Sequence, residues 1–467
     1  MKIIVILILC LLSLSLESVN FFGNFRNLNE NHWAVLVAGS NGFWNYRHQS
    51  DIFHAYHILV ENGIPRENII VLAYDDIAND NENPFPGKIF NKPDPTGEGV
   101  NVYDGVIIDY KGSDVTPENF LAILEGDESK LKGKGTERVL KSSEADNVFI
   151  YFSDHGATGL VAFPYSELYA DQLINTLKKM YEKKTYKKLV FYLEACESGS
   201  MFNTILPNNL NVYTTTASNP YQSSWATYCS PDDRINNKSI GTCLGDEYSV
   251  NWMEDSDNHT KDNESLQIQY QSIKERTKNS EVHQYGSLDF VSENIWDFQG
   301  KRDTRKTSKI KSKIEKYIEN ITSIVKDFFG YKTQQEQLKE NYDSEYFEYL
   351  EEAKNSRVDS REAKLFYLYQ KVQKTNDKES HNELLKELEH IRLSDSIFST
   401  FNQELDVADK PIVEKIDFQC LRAGVESYKS ICKNWGEYDL KYVRNIAAAC
   451  EKNVSKEKME EIFRTIC

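Results

Sequence analysis

Residues 188–200 read KLVFYLEACESGS: an unbroken apolar run, then a glutamate, one cysteine and a string of small polar residues. A run without polar alternation is a strand buried on both faces, the kind found in parallel sheets covered by helices. Its polar ending sets a thiol and a carboxylate at the carboxyl end of the strand, where open α/β sheets carry their sites. Outward from it, HWAVLVAG (32–39), NIIVLAY (68–74), NVFIYF (147–152) and NVYTTTAS (211–218) are runs of the same kind. Between them DIFHAYHILVEN (51–62), PENFLAILEG (117–126) and YADQLINTLKKMYEKK (169–184) carry helical spacing. The alternation predicts an α/β fold, a mostly parallel sheet flanked by helices. Two more polar segments then fall at strand ends, SNGFWNYRHQSD (40–51) and SDHG (153–156).

The 467-residue chain is long enough for two or three domains. Its 55 Lys and Arg against 72 Asp and Glu give a net charge of −17, so no nucleic-acid partner is expected. MKIIVILILCLLSLSLES has the lysine, apolar core and small residues of a secretory signal peptide, residues 1–18. No later segment offers a long apolar run, so no membrane partner is expected once it is removed. Asn237, Asn258, Asn263, Asn320 and Asn453 each open an Asn-x-Ser/Thr glycosylation acceptor. Of the eight cysteines, Cys10 leaves with the signal peptide, Cys229 and Cys243 flank a polar loop, and Cys420, Cys432, Cys450 and Cys467 cluster at the end. In an oxidising compartment these six can pair, and Cys196 is left single.

A cysteine nucleophile needs a base to make its thiolate, and His155 stands at the corresponding strand end. Gly156 lets the backbone approach a substrate carbonyl, so its N–H and that of Cys196 are candidates for an oxyanion hole. His54 and His57, three apart on a predicted helix beside His48, lack a third ligand in zinc spacing and read as structural. No metal and no cofactor is expected. NPFPGKIFNKPDPTGEG (83–99) has no phosphate-cradle pattern and reads as a surface loop near the site.

HWAVLVAGSNGFWNYRHQSD, YFSDHGATG, FYLEACESGSMF, TTTASNP and CLGDEYSVNWMEDSD, in that order between about residues 31 and 286, closely resemble the legumains, the asparaginyl endopeptidases or vacuolar processing enzymes. The resemblance implies a caspase-like catalytic domain over 31–299, a Cys196–His155 dyad supported by Asn45, and Gly156 at the oxyanion position. It implies cleavage of protein and peptide substrates after Asn, and after Asp in acid. It makes Asp154 the aspartate that can cyclise to a succinimide. It places Arg47, His48, Glu194, Ser223 and Asp246 in or near the specificity pocket. Their chemistry suits an asparagine side chain, whose oxygen needs a donor and whose amide needs carboxylates.

Beyond about residue 289 the composition becomes charged, and 310–329 and 345–374 read as helices. The ending again resembles the legumains, whose all-α, disulfide-stapled prodomain covers the catalytic face as its own inhibitor. That implies a linker and activation peptide over 300–376 and a helical C-terminal prodomain over 377–467. It also implies the pairs Cys420–Cys450 and Cys432–Cys467, although four cysteines alone permit three connectivities. KTNDKES (374–380) resembles the activation region, making Asn376 and Asp377 candidate self-cleavage points. Arg357, Arg361 and Lys364, on the predicted helix ahead of it, are candidate cations for holding the cap over a carboxylate-lined site. Low-pKa ion-paired carboxylates are expected to release it in acid. The signal segment places the enzyme in the secretory route, and with the resemblance the reading is a secreted or lysosome- or vacuole-directed enzyme. Its alternatives are a peptide ligase of the same family and a glycolipid-anchor transamidase, which ends in a membrane helix.

Overall fold

The computed structural model describes residues 32–258, 264–301, 356–375 and 377–467. In chain order the first part runs β1 (His32–Ala38), α1 (Tyr46–Glu61), β2 (Ile69–Leu72), α2 (Pro117–Glu125), β3 (Asn147–Ser153), β4 (Gly156–Ala157), β5 (Leu160–Phe163), β6 (Ser166–Tyr169) and α3 (Ala170–Glu182). Next come β7 (Lys188–Glu194), β8 (Val212–Thr216), β9 (Trp225–Thr227), β10 (Arg234–Ile235), β11 (Lys238–Ser239), β12 (Gly245–Asp246), α4 (Glu247–Asn258), α5 (Leu266–Arg276), β13 (His283–Gly286) and α6 (Trp296–Gln299). The last part holds β14 (Arg357–Asp359), α7 (Ala363–Thr375), α8 (Lys378–Leu405), α9 (Phe418–Cys432), α10 (Val443–Glu451) and α11 (Lys456–Ile466).

The apolar runs form the strands their pattern predicts. The main sheet has the order β13-β8-β7-β3-β1-β2, parallel throughout except for β13, which runs antiparallel at one edge. Successive residues serve opposite faces: Ala34, Leu36 and Ala38 join a core with α1 and α4, while Val35 and Val37 join one with α2 and α3. That double burial is why these strands show no polar alternation. Local signals set the helix ends. In α2, Thr116 caps the Asn119 N–H, Pro117 opens the helix and Gly126, in the left-handed region, closes it.

A third core joins Phe398 and Phe401 of α8, Tyr428 of α9, Ile446 of α10 and Phe463 of α11 to Ala157, Leu160 and Tyr169 of the small sheet β4-β5-β6. The C-terminal helices therefore bury apolar surface directly on the strand-end side of the main sheet. Disulfides Cys420–Cys450 and Cys432–Cys467 tie α9 to α10 and to the last residue, and Cys229–Cys243 closes the polar loop.

The helix expected over 345–374 is corrected within the described residues: Arg357–Asp359 is a strand, and the helix begins only at Ala363. Pairing of β14 with β9 supplies long-range hydrogen bonds that outweigh the helical composition of the segment. The expected signal segment, the 310–329 helix, Asn263 and Asn320 lie outside the described residues. Asn237, Asn258 and Asn453 are exposed. Among the described residues no helix is long and apolar enough to cross a membrane.

Candidate active site

Parallel pairing brings three polar strand ends side by side. Ala38 is in register with Ser153, and Ser153 with Glu194; the Asp154 N–H then donates to the Glu194 carbonyl, 3.1 Å. His155 and Cys196 thus leave adjacent strands at the same level. The approach is closer than any side chain at 156 would permit: a Cβ there would lie 2.4 Å from the Cys196 carbonyl oxygen and 2.8 Å from Ala195 Cβ. Glu197, directly after the cysteine, has φ 46°, a left-handed turn that carries the chain away from the strand.

The His155 ring is oriented from one side only. Its Nε2 lies 2.9 Å from Asn45 Oδ1, whereas Nδ1 is buried and meets no hydrogen-bond partner among the described residues. Asn45 stands at the N-cap of α1, yet its side chain caps nothing because the site uses it instead. Burial, reinforced by Arg47, Arg361 and Lys364, pushes the His155 pKa well below the ordinary histidine value. Cys196 is buried, with the Ser224 N–H 3.3 Å from Sγ. Burial pushes its thiol up to about 11, against the pull of the Arg361 charge. In this capped form both groups are neutral.

Next to them lies a buried cluster of one guanidinium and three carboxyls. Arg47 Nε donates to Asp246 Oδ1 at 2.9 Å, and Glu194 Oε2 accepts from the N–H and hydroxyl of Ser249 at 3.0 and 2.8 Å. Asp51 accepts from Asn91 Nδ2 at 2.7 Å, which brings the 83–99 loop to the site. Burial and mutual repulsion push Asp51 and Glu194 well above the usual carboxylate range, and burial also raises Asp246. Arg47 Nη2 and Glu194 Oε1 are buried with no hydrogen-bond partner among the described residues. His48 packs edge-on against His155, ring centroids 5.0 Å apart, and meets Ser40 Oγ at 2.7 Å and Asp154 Oδ1 at 3.4 Å. Asp154 is itself buried and raised well above its ordinary value, and Gly39 leaves room for it: a Cβ there would come within 2.4 Å of Asp154 Oδ2. The Arg47 charge beside both imidazoles disfavours a cation at this His48–Asp154–His155 group.

Ser223, expected in or near the pocket, lies beside the strap that crosses it. Its hydroxyl serves Asp359, while Ser224, one residue on, turns toward Cys196. His54 and His57 make structural contacts, His54 with Asn91 and Asp257 and His57 with the Val102 carbonyl.

A strap from the last part of the chain crosses the site. β14 runs antiparallel to β9, with Arg357 opposite Thr227 and Asp359 opposite Trp225. The Ser360 N–H continues the ladder to the Ser224 carbonyl at 3.0 Å, and its hydroxyl meets Ser224 Oγ at 3.2 Å. Arg361 then donates to the Gly156 carbonyl at 2.6 Å and to the Glu197 carboxylate, whose other oxygen takes Arg444 at 3.2 Å. Arg357 faces Glu247 at 3.4 Å, and Lys364 pairs with Glu387 of α8 while its ammonium lies 5.2 Å from the centre of the Trp44 ring. Glu437, between α9 and α10, closes the other side. It accepts from Asn45 Nδ2 at 2.6 Å and Trp44 Nε1 at 3.0 Å and lies 3.5 Å from His155 Nε2. Sequence reasoning missed Ser224, Ser360, Glu197 and Glu437, because nothing local marks a residue whose role comes from a partner far along the chain. Asp377 caps α8 through the Ser380 N–H, and Asn376 lies outside the described residues.

Residues 32–301 match the model of the peptidase C13 family, and residues 371–467 match that of the legumain prodomain. Legumain of Mus musculus is 54% identical over 269 residues, 58% of this chain and 59% of that protein, so this alignment spans about three fifths of the mouse protein. Legumain of Rattus norvegicus is 39% identical over 93% of this chain and 92% of its own. A vacuolar-processing enzyme of Vicia sativa is 36% identical over 98% of this chain and 90% of its own. Among solved structures, a caspase-1 from Spodoptera frugiperda aligns with 60% of this chain and 96% of its own at 10% identity and a TM-score of 0.34.

Proposed function

The chain belongs to the peptidase C13 family, is a cysteine-type endopeptidase and carries a legumain prodomain, and from that premise we propose that it cleaves peptide bonds after asparagine through Cys196 and His155. The observation that carries the specificity is the unmatched pair in the pocket: a buried guanidinium N–H on Arg47 and a buried carboxyl oxygen on Glu194. A buried donor or acceptor left unpaired costs about 1–3 kcal/mol. An asparagine side chain answers both, its oxygen accepting from Arg47 Nη2 and its amide donating to Glu194 Oε1. The unpartnered Nδ1 of His155 is the nitrogen able to take the proton of the thiol. Asn45 keeps Nε2 engaged meanwhile, and the N–H groups of Gly156 and Cys196 receive the oxyanion. As the thioester forms on Cys196 the peptide C–N bond breaks, the leaving amine takes the proton held by His155, and water then hydrolyses the thioester to restore the thiol. The disulfides and the vacuolar naming of relatives support work in an oxidising secretory route ending in an acidic compartment.

The test is product analysis of an Asn-containing peptide by the processed enzyme, with and without an added amine. Cleavage at neutral pH after residues other than Asn would overturn the pocket. An Asp peptide is expected to be cut only in acid, where its protonated side chain no longer faces repulsion from Asp51, Glu194 and Asp246. Paired Asn and Asp substrates across pH 4 to 8 should show their rates converging as pH falls, by an order of magnitude or more; equal Asp cleavage at neutral and acid pH would count against it.

The strap and C-terminal helices make the precursor inactive by occupying this site, and acid releases them. The trigger is assigned to His155. A base whose pKa is depressed in the closed form contributes stability above its ordinary value, about 6.5, that is lost as pH falls below it. Opening restores solvent and removes Arg361 and Lys364, so the open form takes up the proton. A carboxyl buried under the strap without a direct ion pair acts in the opposite sense: burial raises Glu362 to about 7, so protonating it favours the closed strap. At about 1.5 Å per residue, α7 carries Thr375 roughly 18 Å from the strap, so a cut at Asn376 or Asp377 requires α7 to leave or a second molecule to act. Purified precursor should shorten on acidification, read by intact mass, and Cys196→Ala precursor should not. Glu362→Gln should slow trimming by added active enzyme several-fold near pH 7.5 and leave it unchanged below about pH 5. Equal trimming of both proteins near neutral pH would remove Glu362 from this balance.

A further inference from the structure

The strap shows more than occupancy. Ser360 holds the place of the residue before a scissile bond, because its backbone is laddered to Ser224, whose hydroxyl meets its own at 3.2 Å and whose N–H touches Cys196 Sγ. Arg361 is then the residue just after that bond. Its side chain turns into a slot formed by the Gly156 carbonyl and the Glu197 carboxylate, which is 1% exposed and held there by the left-handed turn after the nucleophile. Arg444, on the other carboxylate oxygen, also belongs to the C-terminal part of the chain. A substrate reaches Cys196 only when the strap has left, and Glu197 then faces the substrate position without the cation that fills it here.

We propose that Glu197 is the specificity-determining residue for the position after the scissile bond, selecting peptides with Arg or Lys directly following the cleaved asparagine. This rests on the reading of Cys196 and the asparagine pocket given above. A guanidinium or ammonium there restores the charge-assisted hydrogen bonds that Arg361 makes to Glu197 and Gly156. An acidic side chain at the same position meets a carboxylate and a carbonyl oxygen and is repelled.

The experiment is a competition in one mixture, using enzyme processed from the full-length precursor and peptides alike except for Arg, Ala or Glu after a single Asn. We expect kcat/KM for Arg to exceed that for Glu by at least about tenfold. Glu197→Gln should bring the ratio to within about twofold, and Glu197→Lys should invert it. Ratios cancel any loss of overall activity in the variants. Asn-dependent cleavage with a flat profile would overturn the Glu197 assignment alone, whereas cleavage independent of Asn would bring down the site reading and this proposal together. A second measurement needs no variant enzyme. The strap peptide RVDSREAK, residues 357–364, added to wild-type processed enzyme should inhibit about tenfold more tightly than the same peptide with Arg361→Gln. Equal inhibition by the two peptides would overturn the proposal.

Discussion

Cys196→Ala is expected to lower turnover of an Asn peptide by about 10⁴-fold or more, to background, while the protein keeps its fold. Without the sulfur no thioester forms, and the remaining donors can only bind. The fold should survive because Cys196 sits at a strand end, hydrogen-bonded only through weak sulfur contacts to Ser224. Replacing a small buried thiol by a methyl group costs about 1 kcal/mol, which circular dichroism and a thermal melt would register as a small shift. His155→Ala should match it in activity, because Asn45 then has no ring to orient. Retained turnover in folded Cys196→Ala protein would end the proposed mechanism.

Ser360→Asn is expected to turn the strap from a plug into a substrate. In the wild-type chain the Ser360 hydroxyl stays on Ser224, and Arg47 Nη2 and Glu194 Oε1 remain unsatisfied. An asparagine in the same backbone register carries its amide one bond further into that pocket. The bond between 360 and 361 already passes beside Cys196, with Arg361 on the Gly156 carbonyl. The expected result is self-cleavage at 360–361, seen as two chains by intact mass where the wild-type precursor shows one. The double variant with Cys196→Ala should stay whole. A Ser360→Asn precursor that remains uncut under conditions in which the wild type processes itself would show that the strap does not lie in substrate register.

Much of this molecule was legible locally. A strand buried on both faces must be apolar at every position, so KLVFYLEA and NVFIYF announced parallel strands, and their polar endings marked where chemistry sits. Cys196 stood out because six other cysteines had compartment reasons to pair, and His155 because it ended a neighbouring run. The order of the strands, and with it the closeness of those two ends, came from the parallel register of β3 with β7.

What the tertiary structure decided are the features that depend on distant partners. Composition puts Arg361 on a charged helix, but hydrogen bonds to β9 draw its segment into a strap, since long-range pairing outweighs propensity in a short stretch. Ser223 and Ser224 look alike in sequence, yet along an extended edge neighbouring side chains face opposite ways, and only Ser224 faces the thiol. Glu437 stands 392 positions from Asn45 and meets it only because α8 to α11 bury their apolar faces on the small sheet. Charge pattern alone assigned the carboxylates low pKa values, but Glu197 and Glu194 are raised, because desolvation is set by everything packed around a group and not by its neighbours in the chain.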